Sequence, residues 1–541
     1  AALRDHLLAS LEKLPGTREF HIHVLVSAPR KHTDLFPYAH PRPRVYLQDI
    51  LVLLSEQEKL DGPRVFVTAL EANVYNVPSI SCGIVYISKV DSTGQGISPS
   101  PTPPLVKAFL SYYANPSTRP VKVDTLWLQL FARAQGQYLF PNSSEFAGKH
   151  PLTDIKLCAW WKRIFGHVAE ETTKQVEEGK LGLFYLLPGL NELEAINTLQ
   201  FASAAPVIPL PAATNPVPWK YGHQYSQSEI PLPCPSSKGQ LNLGHFIPSF
   251  DDDPKSRFID EIAHTTDEPG VRSPERKRSR TISENDEDGG KPVSVADKEG
   301  KKEGGKVRGE LGKVSADEFW ERMSFRQECI AGAITGFFTL GIHVPPPPGG
   351  SHPTSPSPLA PQPGQVAPNL VRRIVASLLN GHEFSTAERA VRATETLEAA
   401  IKGLCENITT VPKAPDSKPS SAAAGSSART SAPLLLRGSR ATTPEPQPSR
   451  STLDVPHTPP PKRKGGKPVL PDISPNPFPE PVASLDTYIS HIYGSIAVKN
   501  PPLPPKETTT VAIASSDGKP VALASAQPPV NVLAVRKKKR K

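Results

Sequence analysis

Cysteine is scarce in this chain of 541 residues, and the five present, Cys82, Cys158, Cys234, Cys329 and Cys405, stand singly. None forms a CxxC pair or joins histidine at metal-ligand spacing. That excludes the usual zinc modules and disulfide frameworks and points to reduced thiols in an intracellular protein. Long apolar runs are missing too. The longest, residues 329–344, is about 16 residues with two threonines and His343, short of the roughly 20 that span a bilayer, so it is expected to be a core segment of a soluble protein. No basic-then-apolar leader opens the chain; residues 1–14 alternate charge with leucine, as an amphipathic helix does. A Gly-rich phosphate loop, a metal motif and a Ser/His/Asp pattern are all absent, so no metal is expected.

Proline is abundant, 63 residues gathered into segments that mark the breaks in the chain. Residues 98–104 and 345–368 are Pro/Ser loops. Residues 264–313 turn to Gly, Lys, Glu, Arg and Asp without apolar periodicity, the signature of a disordered insertion, and residues 411–541 form a Pro/Ser/Ala-rich disordered tail. Folded structure is thus expected over residues 1–263 and 314–410, with residues 484–497 a short helix or docking segment in the tail. Charge divides the same way. The tail holds 19 Lys and Arg against 8 Asp and Glu, whereas residues 1–410 carry −2 of the formal +9. A slightly acidic body argues against a broad nucleic-acid-binding face. Basic clusters at residues 276–280, 462–464 and 536–541 suit nuclear import, or a tail that meets histones, chaperones or nucleic acid.

Residues 21–27 and 45–54 fit strands and buried helix turns equally well. Residues 64–77 and 81–90 alternate as strands, and Asn76, Val77 and Pro78 between them predict a hairpin. Helices are predicted over 105–114, 125–135, 369–379 and 384–404, from Thr153 toward residue 179, and from Ser315 through Trp320, Phe325 and Cys329. Capping boxes stand at Ser315/Glu318 and Ser385/Glu388. Trp160 and Trp161 project about 100° apart on a helix, so one faces the core squarely while the other lines a pocket, or both simply pack. Ahead of Pro254, whose fixed φ suits a first helical turn, stand Asp251, Asp252 and Asp253, with Phe258, Ile259 and Ile262 following at helical spacing. Capping is the plainest role for acids there, as turn formation is for Asp91.

Four segments, taken in order, resemble one family. They are Ile87-Ser88-Lys89-Val90-Asp91; Leu130-Phe131-Ala132-Arg133 through Gln137-Tyr138-Leu139-Phe140-Pro141; Lys149-His150 with Trp160-Trp161; and Asp252-Asp253-Pro254-Lys255-Ser256-Arg257-Phe258-Ile259. The chain is similar here to the fungal histone H3 acetyltransferases of the regulator-of-Ty-transposition type, distant structural relatives of the metazoan CBP acetyltransferases. The resemblance implies an α/β fold with a central mixed sheet flanked by helices, and acetyl-CoA as co-substrate. It implies acetylation of newly made histone H3, accompanied by H4, on an αN-helix lysine and some tail lysines. Histone chaperones of the NAP and anti-silencing-function types would assist, in the nucleus, during chromatin assembly and the DNA damage response. Donor contacts implied by the match are Val90, Asp91, Ser92, Pro99, Ser100, Pro101, Thr102, Pro103, Phe131, Gln135, His150, Pro151, Leu152 and Trp160. The catalytic neighbourhood is Asp91, Tyr138, Trp161, Asp252 and Asp253, with Asp253 matching the proton acceptor and Lys255 a self-acetylated lysine. Asp251 is left to cap the helix. The loop from Pro99 to Pro103 has no arginine or lysine to meet a CoA phosphate.

Chemistry asks for the same residue types. A lysine amine is almost wholly protonated at neutral pH and attacks a thioester only as the free base. Carboxylates that attract the cation and carry off its proton, with aromatics gripping the aliphatic stem, meet that need. Composition alone favours a different function, a non-enzymatic nuclear adaptor that positions basic arms for chaperones or chromatin.

Overall fold

The structure, a computed structural model, describes residues 2–59, 62–176, 179–203, 217–234, 241–265, 309–326, 329, 332–345, 357–406 and 475–502. After helix α1 (Leu3–Leu11) come strands β1 (Gly16–Val26), β2 (Arg30–His32), β3 (Val45–Gln57), β4 (Val65–Val77) and β5 (Cys82–Ser92). Helix α2 (Thr102–Ala114) then crosses to β6 (Thr125–Ala132), which lies parallel to β5. Next are α3 (Asp154–Gln175), β7 (Lys180–Leu186), α4 (Glu192–Ser203), β8 (Trp219–Tyr221), α5 (Pro254–His264), α6 (Ala316–Met323), β9 (Gly336–His343), α7 (Pro368–Gly381), α8 (Ala387–Glu406) and β10 (Tyr493–Asn500). Among the described residues ten strands make one mixed sheet in the order β10-β1-β3-β4-β5-β6-β9-β7-β8, with β2 beside β3.

Both sheet faces are covered, which explains the sequence of the central strands. Along β3, Ile50, Val52 and Leu54 pack with Leu7, Phe109 and Phe165 of the first three helices, while Leu51 and Leu53 pack with Ile374 and Leu397 of α7 and α8. A strand buried on two sides needs an almost continuous apolar run, so its period of two is masked. The same cause corrects residues 125–135, expected as a helix. Leu126, Leu128 and Leu130 face one core and Trp127 the opposite one, in the alternation of a strand held between β5 and β9. The β4/β5 hairpin forms as expected.

In the tail read as disordered, residues 475–502 form structure, and they include the helix or docking segment expected over residues 484–497. A short helix, Leu485–Thr487, continues into a π-helical turn, Tyr488–Ile492, and then β10 pairs antiparallel with β1 from Gly16↔Asn500 to His23↔Tyr493. This covers the donors and acceptors that β1 would otherwise expose at a sheet edge. His23 Nε2 lies 3.0 Å from the Tyr488 hydroxyl and His21 Nδ1 lies 2.8 Å from that of Tyr493. Within the second Pro/Ser loop, Val366 bridges to Ser27. Residues 266–308, 346–356, 407–474 and 503–541, with the three basic clusters, lie outside the described residues. The Ser315 cap forms, its hydroxyl accepting from Glu318 N at 3.1 Å. Helix α6 stops at Met323, so Phe325 is exposed. At α8 the cap is Thr386, which accepts from Arg389 N at 3.3 Å, one residue later than expected.

Candidate active site

Strands β5 and β6 stay paired only from Cys82↔Thr125 to Ile87↔Leu130. Beyond Ile87, β5 follows β4 instead, and a register shift leaves Ser88 as an extra residue between the Ala72↔Ile87 and Glu71↔Lys89 pairs. Such a bulge bends its strand and strengthens the local twist. The two parallel strands therefore part at their C-terminal ends, the position where open α/β sheets receive ligands. A cleft of about 520 Å³ opens there, closed by the loop before α2 and by α3. Of the donor contacts expected from sequence, Val90, Asp91, Ser92, Ser100, Pro101, Thr102, Pro103, Phe131, Gln135, His150, Pro151, Leu152 and Trp160 line it, and Pro99 does not. Asp91, Tyr138 and Trp161 line it too; Asp252, Asp253 and Lys255 do not.

Asp91 is buried and occupied. One carboxylate oxygen, Oδ2, accepts from the backbone amides of Tyr138, Leu139 and Phe140 at 2.7, 2.8 and 3.1 Å. The other, Oδ1, accepts from its neighbour Ser92 N at 2.8 Å and from Lys149 Nζ at 2.9 Å. Lys149 Nζ in turn donates to Ser143 Oγ at 2.8 Å. Five protein donors use the acceptor capacity of a carboxylate, so this acid pins the turn after β6 against the end of β5. Tyr138 projects from that turn, its hydroxyl donating to the Arg133 carbonyl, and burial pushes its pKa up to about 12. It is a neutral donor at physiological pH.

Both tryptophans are buried and both meet the cleft, their ring centroids 4.5 Å apart and their planes inclined at 69°. Packing and lining are therefore compatible. Trp161 also meets Phe165 edge-on one turn along α3.

The three acids before Pro254 have separate fates. Asp253, not Asp251, is the N-cap of α5; its Oδ1 accepts from Lys255 N at 2.8 Å. The proline explains this, because a helix that starts on Pro254 makes the residue before it the cap. Asp253 Oδ2 stands 3.2 Å from Lys255 Nζ, and the two residues are 1% and 5% exposed. Three rings surround that ammonium, those of Phe250 and Phe337 at 5.2 Å and that of Trp320 at 6.0 Å. Burial, and next the charge of Asp253, raises the pKa of Tyr86 well above its usual value. Asp252 faces outward instead. At φ 62° it occupies the left-handed region, its side chain is 78% exposed, and its carboxylate lies 3.4 Å from Lys89 Nζ. Lys89 also bonds Glu71 at 2.9 Å and lines the cleft, so Asp252 is the acid of the three tied to the cleft mouth.

Sequence reasoning gave no role to Lys149, Lys89, Arg133 or Arg163, all in the cleft wall. Lys89, Arg133 and Lys149 stand within the segments that carry the family resemblance, and Arg163 had its own signal, its position three residues after Trp160 on one helix face.

The sheet, the α2 crossover and the split between β5 and β6 define a mixed α/β/α protein with a ligand cleft at the C-terminal ends of parallel strands. The chain belongs to the histone acetyltransferase KAT11-type domain family, whose profile matches residues 108–400. It is 29% identical over 356 residues to the histone acetyltransferase rtt109 of Aspergillus flavus, a match covering 61% of this chain and 55% of that protein. It is 26% identical over 340 residues to the histone acetyltransferase rtt109 of Schizosaccharomyces pombe, covering 62% and 66%. The chain thus spans little more than half of the first relative and two thirds of the second. The crystal structure of Rtt109 from Aspergillus fumigatus shares its fold with a TM-score of 0.54 and 23% identity, over 74% of this chain and 96% of that one. The family resemblance drawn from the four sequence segments is thereby borne out.

Proposed function

We propose that this chain transfers acetyl from acetyl-CoA to lysines of newly made histone H3. The observation that carries the reading is the cleft at the β5/β6 split, walled by Trp160, Trp161, Phe131 and Tyr138 on its apolar side and bordered by cations. A long donor with an apolar arm and phosphates fits such a lining, the arm against rings and the phosphates against positive charge. The lysine nitrogen forms a bond to the thioester carbonyl carbon, the carbon–sulfur bond breaks, and the thiol departs with a proton. Asp252, exposed at the mouth, attracts the incoming ammonium and takes its proton, and Asp253, the family's proton acceptor by resemblance, is here buried against Lys255 and serves only once that internal pair is released. Trp161 and Tyr138 grip the stem, and Asp91 positions the turn that carries Tyr138 rather than receiving the substrate. The finer features follow the family: H3 presented with H4 by chaperones of the NAP and anti-silencing-function types, αN-helix and tail lysines as targets, work in the nucleus during chromatin assembly and DNA repair, and self-acetylation at Lys255.

Incubating the full chain with labelled acetyl-CoA, H3–H4 and each chaperone class tests the proposal. Label is expected on H3 with wild type and much less with Asp252→Asn or Asp253→Asn. No transfer by wild type with either chaperone overturns it and leaves the non-enzymatic adaptor. A donor-only incubation followed by peptide mapping tests Lys255.

A further inference from the structure

The loop before α2 ought to be the natural anion cradle of this cleft, since helix N-termini present free amides to phosphates. Here it cannot serve. Pro101, Pro103 and Pro104 have no amide hydrogen. Thr102 N already donates to Ser100 Oγ at 3.3 Å, and Leu105 N donates to Pro101 O at 3.1 Å. From Pro101 to Leu105 no amide is spare and no side chain is cationic, so a phosphate lying at this helix start needs a charged donor from another element.

Helix α3 brings one alongside. Lys107 of α2 pairs with Glu171 of α3 at 2.5 Å and Ser111 bonds the same carboxylate at 2.9 Å, so the two helices lie side by side. Arg163 lies two turns before Glu171 on α3 and lines the cleft together with Ser100, Thr102 and Pro103. Lys107 and Arg163 are both near enough to His167 to lower its pKa, although burial is the larger cause. Among the cations of the lining, Lys149 is paired with Asp91 and Lys89 with Glu71 and Asp252, while Arg133 pairs with no acid among the described residues but has no buried nitrogen left without a hydrogen bond. Among the described residues Arg163 pairs with no acid, and its Nε is buried without a hydrogen-bond partner. A buried guanidinium nitrogen left unsatisfied is costly, and the group that satisfies it must be an acceptor.

We propose that Arg163 anchors the phosphate-bearing end of the acyl donor, replacing the amides that the prolines of the α2 loop have removed. The proposal rests on the acetyl-CoA reading and deepens it. Two phosphate sources share this chemistry, the 3′-phosphate on the ribose and the diphosphate bridge. A planar fork is suited to either, because it meets two phosphate oxygens at once. The prediction is one of specificity: this protein selects coenzyme A over a bare acylated pantetheine through a residue on α3.

The test uses the full chain and titrates coenzyme A and 3′-dephospho-coenzyme A by calorimetry against wild type, Arg163→Ala and Arg163→Lys. Arg163→Ala is expected to weaken coenzyme A binding about tenfold or more, with Arg163→Lys recovering part. The KM for acetyl-CoA should rise in parallel while kcat at saturating donor stays within about twofold, as for lost uniform binding. If the alanine variant erases a wild-type preference for the 3′-phosphorylated ligand, the anchored group is the 3′-phosphate. If both ligands lose equally, it is the diphosphate. Equal coenzyme A affinity in wild type and Arg163→Ala overturns the assignment while leaving acetyl transfer intact. Absence of coenzyme A binding by wild type overturns both. Should Arg163→Ala fail to fold, Arg163→Gln keeps the aliphatic stem and a polar end without the charge and must show the same weakening.

Discussion

Lys149 Nζ stands 2.9 Å from Asp91 Oδ1, and both side chains are only 5% exposed. The pair joins the end of β5 to the turn after β6, where the cleft opens, so it bears on stability and on site geometry together. Removing one partner leaves an uncompensated buried charge, which costs about 3–5 kcal/mol. Lys149→Met is therefore expected to destabilise the protein by about that amount, read as a fall in denaturant midpoint. The double variant Asp91→Asn/Lys149→Met should recover part of the loss. Equal midpoints for wild type and Lys149→Met would remove the pair from the account.

Asp252 and Asp253 should separate by readout. Asp252→Asn alters an exposed carboxylate, so stability is expected to stay within about 0.5 kcal/mol while kcat/KM for histone falls at least several-fold. Asp253→Asn keeps a competent cap, since asparagine caps helices well, but strands the Lys255 ammonium. It should cost about 3 kcal/mol of stability as well as activity. Denaturation and steady-state kinetics on the two variants decide the matter. Wild-type kinetics in Asp252→Asn would refute its role at the mouth.

Lys255 faces Asp253 at 3.2 Å inside a ring of aromatics. The acetylation proposed for Lys255 would remove its charge and release the acid from that internal pair. Lys255→Arg enzyme shown by mass spectrometry to be unmodified should be several-fold slower than wild type carrying the modification. Unimpaired activity in that variant would sink the idea.

Burial, and next the charges of Arg64 and His21, depresses the His23 pKa to about 3. His23 is fully buried against Tyr488 and its neighbour His21 is also shifted down, chiefly by burial. The unfolded chain binds the proton near pH 6.5 and the folded chain only near 3, so U holds more protons between these values. The stabilisation is complete above about pH 6.5 and declines as pH falls, by about 1.4 kcal/mol per unit for one such group. Amides of β10 should exchange faster at pH 5 than at pH 7.5 after correction for intrinsic rates. A His23→Phe variant should flatten that dependence. PH-independent protection of β10 in wild type would count against His23 as its lock.

Legibility in the sequence tracked the distance between partners. The β4/β5 hairpin, the helix carrying Trp160 and Trp161 and the Ser315 cap rest on contacts within a few residues, and local pattern disclosed them. β3 and β6 were ambiguous or misjudged because a strand covered on both faces loses the alternation that identifies it. The Asp91–Lys149 pair spans 58 residues, and no spacing rule connects such groups. The acids before Pro254 were visible as a helix start, but which of them turned inward depended on the proline and on a left-handed Asp252.

The edge strand β10 lies beside β1 although Gly16 and its partner Asn500 are 484 residues apart. Ribosomes add about 5–20 residues each second, so β1 waits while the intervening chain is made before its neighbour exists. During that interval the growing chain carries an open row of backbone donors and acceptors on β1, together with the unmatched His21 and His23. A nascent-chain chaperone, or a cross-pairing copy, has its opening then. Truncation before residue 475 makes that transient state permanent, and its expected cost is aggregation rather than simple loss of one strand.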